Sequence, residues 1–320
     1  MLTKLEVKTN FTGSAGRTGR DRTARCLAMA LAALASPGLA AAQEHPPPEA
    51  CQAGPTLTYL ANSAVLIRGA HTALIDAPFT DGVEPYPRLR AETLRRARSA
   101  EPPFDDLDWV LVSHDHADHG DARAIADLLE ANRSVRLIST RAVVVRVRAE
   151  AGDASRLADR LVAVEPVEGE PIAVNDRAPR IEVLALHHGR RRAVTNLGFL
   201  VDMDGVRMLH VGDAEVTLPD IEPLGLSGRD IDVALMPTWY ARSDRFRPVL
   251  DALEARRVLL MHFPERRAGD RLFRRSGGWE AFMRSIAESD PPMVPLIRRG
   301  RTYCLDPFTE IPVHARPTEP

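Results

Sequence analysis

The sequence predicts a layered α/β domain over about residues 52–310, with sheets packed face to face and helices outside. Two observations carry this: short apolar runs arrive in groups, and helical stretches sit between the groups. A third is that no linker of shifted composition splits the chain into independent domains. With 320 residues, 44% of them hydrophobic, and a net charge of −2, the chain can bury a large core. That composition excludes a disordered chain and a coiled coil. It also lacks the basic excess of a nucleic-acid-binding protein.

The N-terminus has its own character. Arg17, Arg20, Arg22 and Arg25 precede an apolar run over residues 26–35, and small residues follow up to Ala42. This is the layout of a cleaved export signal over residues 1–42, with the mature chain starting near Gln43 in the periplasm or outside the cell. About ten apolar residues are too few to span a bilayer core that needs about twenty. Residues 43–51 form a short N-terminal segment and residues 311–320 a tail. After cleavage two cysteines remain, Cys51 and Cys304. A disulfide stapling the first and last strands and two unrelated buried thiols are equally compatible with the sequence.

LTYLANSAVLIRGAHTALID, residues 57–76, gives successive strands broken at Asn-Ser and Gly-Ala. A polar, proline-containing segment follows over residues 80–104, with a helix around residues 92–98. A strand over residues 109–113 leads into the cluster HDHADH, and a helix follows over residues 122–130. VRLIST is the next strand, and two helical stretches separate it from the strand IEVLALHHG. In the second half, NLGFLVDMDGVRMLHVGD predicts a hairpin turning at Asp204-Gly205. IDVALMP is a strand, RPVLDALEARR a helix, VLLMHF a strand and GGWEAFMRSIAE a helix.

Three of the ten histidines fall within six residues, interleaved with acids, directly after an apolar strand. Along extended chain leaving a strand, side chains at i and i+2 point to one side, so His114 and His116 can converge on one ion. Asp118 and His119, on the turn that follows, suit a second ion. Imidazoles with a carboxylate fit zinc, iron or manganese. Three later strand ends deliver further ligand types: His187 or His188, Asp213, and His262.

With HxHxDH, a later His, an Asp after Gly and a final His, the sequence resembles the metallo-β-lactamase superfamily of metallo-hydrolases. The resemblance implies a four-layer αββα sandwich and two divalent metal ions, zinc foremost. His114, His116 and His188 would hold the first ion, and Asp118, His119 and His262 the second, with Asp213 bridging. His188 is preferred because it directly precedes Gly189, as the ligand precedes a small residue in similar sequences. YLANSAVLI, PTWY and LMHFP look most like the branch of ascorbate-6-phosphate lactonase and N-acyl-phosphatidylethanolamine phospholipase D. That branch commonly has HxHYDH, whereas Ala117 stands here in place of the tyrosine. Asp213 argues against β-lactam hydrolysis, and His116 stands where oxidative relatives carry Glu.

The implied activity is hydrolysis of an ester-type bond, a phosphodiester or a lactone, by hydroxide held between the ions, with Asp118 orienting it. The substrate would be a small or lipid-like molecule. Trp239, Tyr240 and Arg190, with Arg191 and Arg192 beside it, are candidate substrate contacts. Asp76 is a candidate support for a metal-binding imidazole, and His210 is expected to pack or hydrogen-bond in the core. The alternative is a mononuclear iron oxidoreductase or a non-hydrolytic metal-binding protein on the same fold.

Overall fold

Strands over the first half of the chain alternate apolar side chains between two faces, and this alternation builds the molecule. The computed structural model describes residues 51, 54–175, 177–189, 194–306 and 308–310. The expected signal, most of the short segment after it, the C-terminal tail and Arg190, Arg191 and Arg192 lie outside the described residues.

Strands β1 (Thr56–Ala61), β2 (Ala64–Arg68) and β3 (Thr72–Ile75) form an antiparallel meander. After helix α1 (Ala91–Arg98), strand β4 (Trp109–Val112) joins β3 in parallel. Helix α2 (Ala122–Ala131) crosses to β5 (Arg136–Thr140), and helix α3 (Arg141–Glu150) with a 3₁₀ turn over Ala154–Arg160 leads to β6 (Leu161–Val164). Asp121 caps α2 by accepting from the amide of Ala124, and Thr140 caps α3 by accepting from that of Val143.

A second sheet begins with β7 (Ile172–Asn175), β8 (Arg180–His187), β9 (Thr195–Met203) and β10 (Val206–His210). The β9–β10 turn has positive φ at both Asp204 and Gly205, the geometry that Asp-Gly hairpins favour. Then come α4 (Leu218–Ile221), β11 (Val233–Pro237), α5 (Trp239–Arg242), α6 (Arg247–Leu253), β12 (Arg257–Met261), α7 (Arg266–Leu272), α8 (Trp279–Ala287) and β13 (Met293–Pro295). The chain returns to the first sheet with β14 (Thr302–Leu305) and β15 (Phe308–Glu310).

Among the described residues the sheets are eight-stranded, ordered β15-β14-β1-β2-β3-β4-β5-β6, and seven-stranded, ordered β13-β12-β11-β10-β9-β8-β7. Val65, Ile67 and Leu111 turn inward and pack with Val183, Phe199 and Met208 of the second sheet. Their neighbours Leu66, Val110 and Val112 turn outward onto Ile125, Leu128 and Val147 of α2 and α3. On the far side of the second sheet, Tyr240, Val249, Trp279 and Phe282 of α5, α6 and α8 complete the core. This is the αββα sandwich expected.

Several details differ from the sequence expectation, among them the added short helices α4, α5 and α7. The second helical stretch after β5 is 3₁₀, and the short strands β6, β7 and β13 are additional. The chain also gains the terminal strands β14 and β15. Of the two readings left open for the cysteines, the structure has the staple: Cys51 and Cys304 are joined by a disulfide that ties the start of the domain to β14, which pairs with β1. No helix among the described residues is long and apolar enough to cross a membrane.

Candidate metal centre

Strand ends from both sheets deliver the site. After β4 the chain bends rather than running on extended, and a turn closes where the amide of His119 donates to the carbonyl of His116 at 3.1 Å. The bend brings His114 Nε2 to 2.9 Å from His116 Nδ1, and the ring of His188 lies 4.7 Å from each of theirs. His114, His116 and His188 offer ligand atoms all within 4.8 Å of one another. So do Asp118, His119 and His262, and so do His114, His119 and Asp213. Asp213 Oδ2 lies 3.3 Å from His119 Nε2, 3.1 Å from His262 Nε2 and 3.8 Å from His188 Nε2, so it sits between the two outer groups.

All seven expected ligand positions therefore meet in one place. His187 instead faces Glu168 at 3.4 Å, so the position before Gly189 is the one that enters the cluster. Trp239 edges onto the site, its ring 5.1 Å from that of His262. Tyr240 does not: it is buried against Phe246, and its hydroxyl accepts from the amide of Val216. Trp239 and Tyr240 are adjacent in a helix, where a step of about 100° per residue sends neighbours different ways.

The positioning residues explain why the cluster holds its shape. Asp76, with φ of +52°, accepts from the amide of Ser113 at 2.8 Å, from Ser113 Oγ at 3.0 Å and from His119 Nδ1 at 2.8 Å. Ser113 Oγ, having given its proton to Asp76, accepts from His114 Nδ1 at 2.9 Å. One carboxylate thus anchors the Nδ1–H of two imidazoles and turns both Nε2 atoms into the site. Asn62 Nδ2 donates to Asp118 Oδ2 at 2.9 Å. Asn196 Oδ1 accepts from the amide of Asp213, while its Nδ2 donates to the carbonyls of Leu186 and Val211, clamping the two loops that carry His188 and Asp213. Gly212, at φ of +58°, lies so close that a Cβ there would meet the Ser113 side chain at 2.7 Å.

His262 has φ of +61°, unfavourable for a residue with a Cβ. The Asn62 carbonyl accepting from its amide and Thr238 Oγ1 donating to its carbonyl hold it there. His210, as expected, serves the core: the Gly212 amide donates to its Nδ1, and its Nε2 donates to the Ser63 carbonyl.

The donor set suits metal ions. His119 Nε2, His188 Nε2, His262 Nε2 and Asp213 Oδ1 are buried and have no hydrogen-bond partner. Buried polar atoms converging like this without partners are costly unless a cation fills the space. A tetrahedral ion with metal–nitrogen bonds of about 2.0–2.1 Å holds its donors roughly 3.3 Å apart, which matches these spacings.

Charges respond strongly. Burial would lift the Asp213 carboxyl, but His262 and His119 outweigh it and hold it well below the usual carboxylate range. Burial likewise opposes charge on His119, yet Asp213 and Asp76 hold it well above 6.5. Burial and the charge of His119 push His114 well below 6.5. Tyr86, whose ring packs 4.0 Å from His262, is pushed up by burial and by Asp213.

His119 in the metal-free protein therefore carries a proton that a metal ion must displace. Metal affinity is expected to rise with pH through the window, above the ordinary imidazole range, in which this imidazole gives up its proton to the solvent. Calorimetry in buffers of different ionisation enthalpy measures that release. Affinity unchanged across this window would overturn the assignment.

The sequence model of the family described as Beta-lactamase superfamily domain matches residues 71–263. The chain belongs to the metallo-β-lactamase superfamily. A metal-dependent hydrolase of Pyrococcus furiosus is 30% identical over 65% of this chain and 84% of its own. One of Archaeoglobus fulgidus is 30% identical over 57% and 70%. Among solved structures, a metallo hydrolase of Ignicoccus hospitalis aligns at a TM-score of 0.48 and 18% identity, over 78% of this chain and 97% of that one. This metallo-β-lactamase superfamily member is a metal-dependent hydrolase.

Several residues of the centre carried no signal of their own in the sequence. Asn62 and Ser63 lie in the turn between two strands, Ser113 ends β4, and Asn196 starts β9. Tyr86 sits between prolines in a segment without periodicity.

Proposed function

We propose that this metal-dependent hydrolase is exported and uses two divalent metal ions to cleave an ester-type bond, a phosphodiester or a lactone. The observation that carries the dinuclear reading is Asp213, whose Oδ2 lies between His188 of one group and His119 and His262 of the other. His114, His116 and His188 would hold one ion, Asp118, His119 and His262 the other, and Asp213 both. When bound, such ions supply Lewis-acid polarisation of the electrophile and a nucleophile at neutral pH. Asn62 fixes one oxygen of Asp118, and that carboxylate accepts a proton from the attacking water and holds it in line. Trp239 flanks the substrate, its indole Nε1–H spent on the Ala214 carbonyl at 2.8 Å, so that it offers an apolar face. The disulfide supports export, because such bonds persist in oxidising compartments.

Elemental analysis of the metal-replete protein should give two transition-metal ions per chain, with zinc the first metal to try. One ion would favour a mononuclear iron oxidoreductase, and none would sink the metal centre. Turnover on a panel of phosphodiesters, lactones and β-lactams then tests the ester reading, which fails if only β-lactams react. N-terminal sequencing of the native protein should find a start near Gln43 outside the cytoplasm, and intact Met1 in the cytosol would refute export.

A further inference from the structure

One wall of the metal centre is aromatic, and Arg242 follows Trp239 by three residues in the same helix, on the face that Trp239 presents to His262. The ring of Tyr86 meets that of His262 edge-on at 4.0 Å, beside the ring of Trp239 at 5.1 Å from the same imidazole. The backbone around Tyr86 is pinned: its amide donates to the Val83 carbonyl at 2.8 Å, and the Pro85 carbonyl accepts from the Glu265 amide at 2.7 Å. That second bond ties the loop to the chain three residues after His262. Among the described residues no hydrogen bond engages the phenol hydroxyl, which lies within electrostatic reach of Asp213, Arg242 and Asp118.

Arg242, the last residue of α5, is anchored without being neutralised. Its Nη2 donates to the Leu272 carbonyl at 2.9 Å, and its guanidinium lies over the Phe273 ring at 5.3 Å. Among the described residues no carboxylate comes within ion-pair distance of it. Its Nε and Nη1 donors remain for another partner, and the anchor lowers the entropy lost when they find one.

We propose that Tyr86 and Arg242 form an anion-recognition pair beside the metal centre, so that the substrate carries a negative charge at or next to the scissile group. The phenol donates its O–H to an anionic oxygen, and Arg242 supplies positive charge and planar N–H donors. This deepens the hydrolase reading and rests on it for the word substrate. It favours an anionic ester, such as a phosphodiester, over a neutral lactone.

Binding tests the pair separately from turnover. The full chain loaded with zinc is titrated with inorganic phosphate by calorimetry, with zinc content and circular dichroism measured on every variant. Arg242→Ala is expected to weaken phosphate about tenfold or more and Tyr86→Phe roughly three- to tenfold, with Arg242→Lys between parent and alanine variant. Zinc content should stay at the parental value. Arg242→Ala should also raise KM for a phosphodiester while leaving a neutral aryl ester unaffected. Phosphate affinity within about twofold of the parent in both variants would assign the anion to the metal ions alone and overturn the proposal. Absence of phosphate binding by the parent, or loss of zinc from either variant, would overturn it as well. If no ester is turned over while phosphate still depends on Tyr86 and Arg242, the hydrolytic reading fails and the recognition pair stands.

Discussion

Asp118→Asn should abolish hydrolysis while leaving the fold and the three-histidine group in place. The change is nearly isosteric, and Asp118 contributes no apolar packing, so the core has no reason to respond. Its effect is electrostatic and directional. Asn62 Nδ2 already donates to one Asp118 oxygen at 2.9 Å, and an amide at 118 must turn its only oxygen toward that donor to satisfy it. That retained oxygen is also the one 3.9 and 3.8 Å from the Nε2 atoms of His119 and His262, so the change removes the negative charge and puts an NH₂ in place of the other oxygen. A neutral amide holds a cation less well than a carboxylate, and its NH₂ cannot take a proton from water. Losing one ion and the proton acceptor together should cost about a thousandfold or more in rate, which is about 4 kcal/mol of barrier. His114, His116 and His188 remain, so about half the metal should be retained. Turnover, metal content and circular dichroism are measured on the same sample. Turnover within about tenfold of the parent, with both metals kept, would remove Asp118 from the role given to it.

What the sequence made legible was whatever is local or periodic. The cluster at 114–119 is compact, and each of the other ligand types ends an apolar run, so a strand-by-strand reading brings them to one edge of the sheets. The left-out residues act through partners far away in sequence. Asn62 holds Asp118 at a separation of 56 residues, and Ser113 and His119 meet on Asp76 across 37 and 43. No spacing rule points from one to the other. Asp76 was legible as a candidate support for a metal-binding imidazole because it ends a strand, but nothing local named His119 as its partner. Tyr86 was hidden for a different reason: a proline-flanked loop has no period, and the bond from the Glu265 amide to the neighbouring Pro85 carbonyl ties that loop beside His262.

The additional strands show the limit on the fold side. β6 and β7 are four residues each and largely half-buried, so neither presents a clean apolar alternation. β7 exists because it can add to the edge of β8, and β6 because it can add to β5. Edge strands of this kind are decided by the sheet already present. Tyr240 illustrates the same point at the site, since its neighbour Trp239 reaches His262 while it turns into the core.

Removing the disulfide should produce the largest loss of stability available outside the core. Cys51 and Cys304 are both almost wholly buried and lie 253 residues apart, so the bond closes nearly the entire domain into one loop in the unfolded chain. The chain-entropy argument puts the upper bound at about 5.5 kcal/mol for a loop of this size, and removal of native disulfides typically costs about 2–5 kcal/mol. For a domain of this length that corresponds to a fall in Tm on the order of 10 °C. The double alanine variant is preferable to serine, because a buried hydroxyl without a partner would add its own penalty. The site should be indifferent to the change. Cys304 pairs with Thr56 at one end of β1, whereas Asn62 follows the other end, six residues and roughly 20 Å away. The folded fraction should therefore keep its full metal content and turnover at 25 °C while unfolding earlier in denaturant. A midpoint unchanged in the double variant would mean that the bond constrains nothing. A loss of metal at 25 °C would mean instead that strain travels along β1 to Asn62, contrary to the separation argued here.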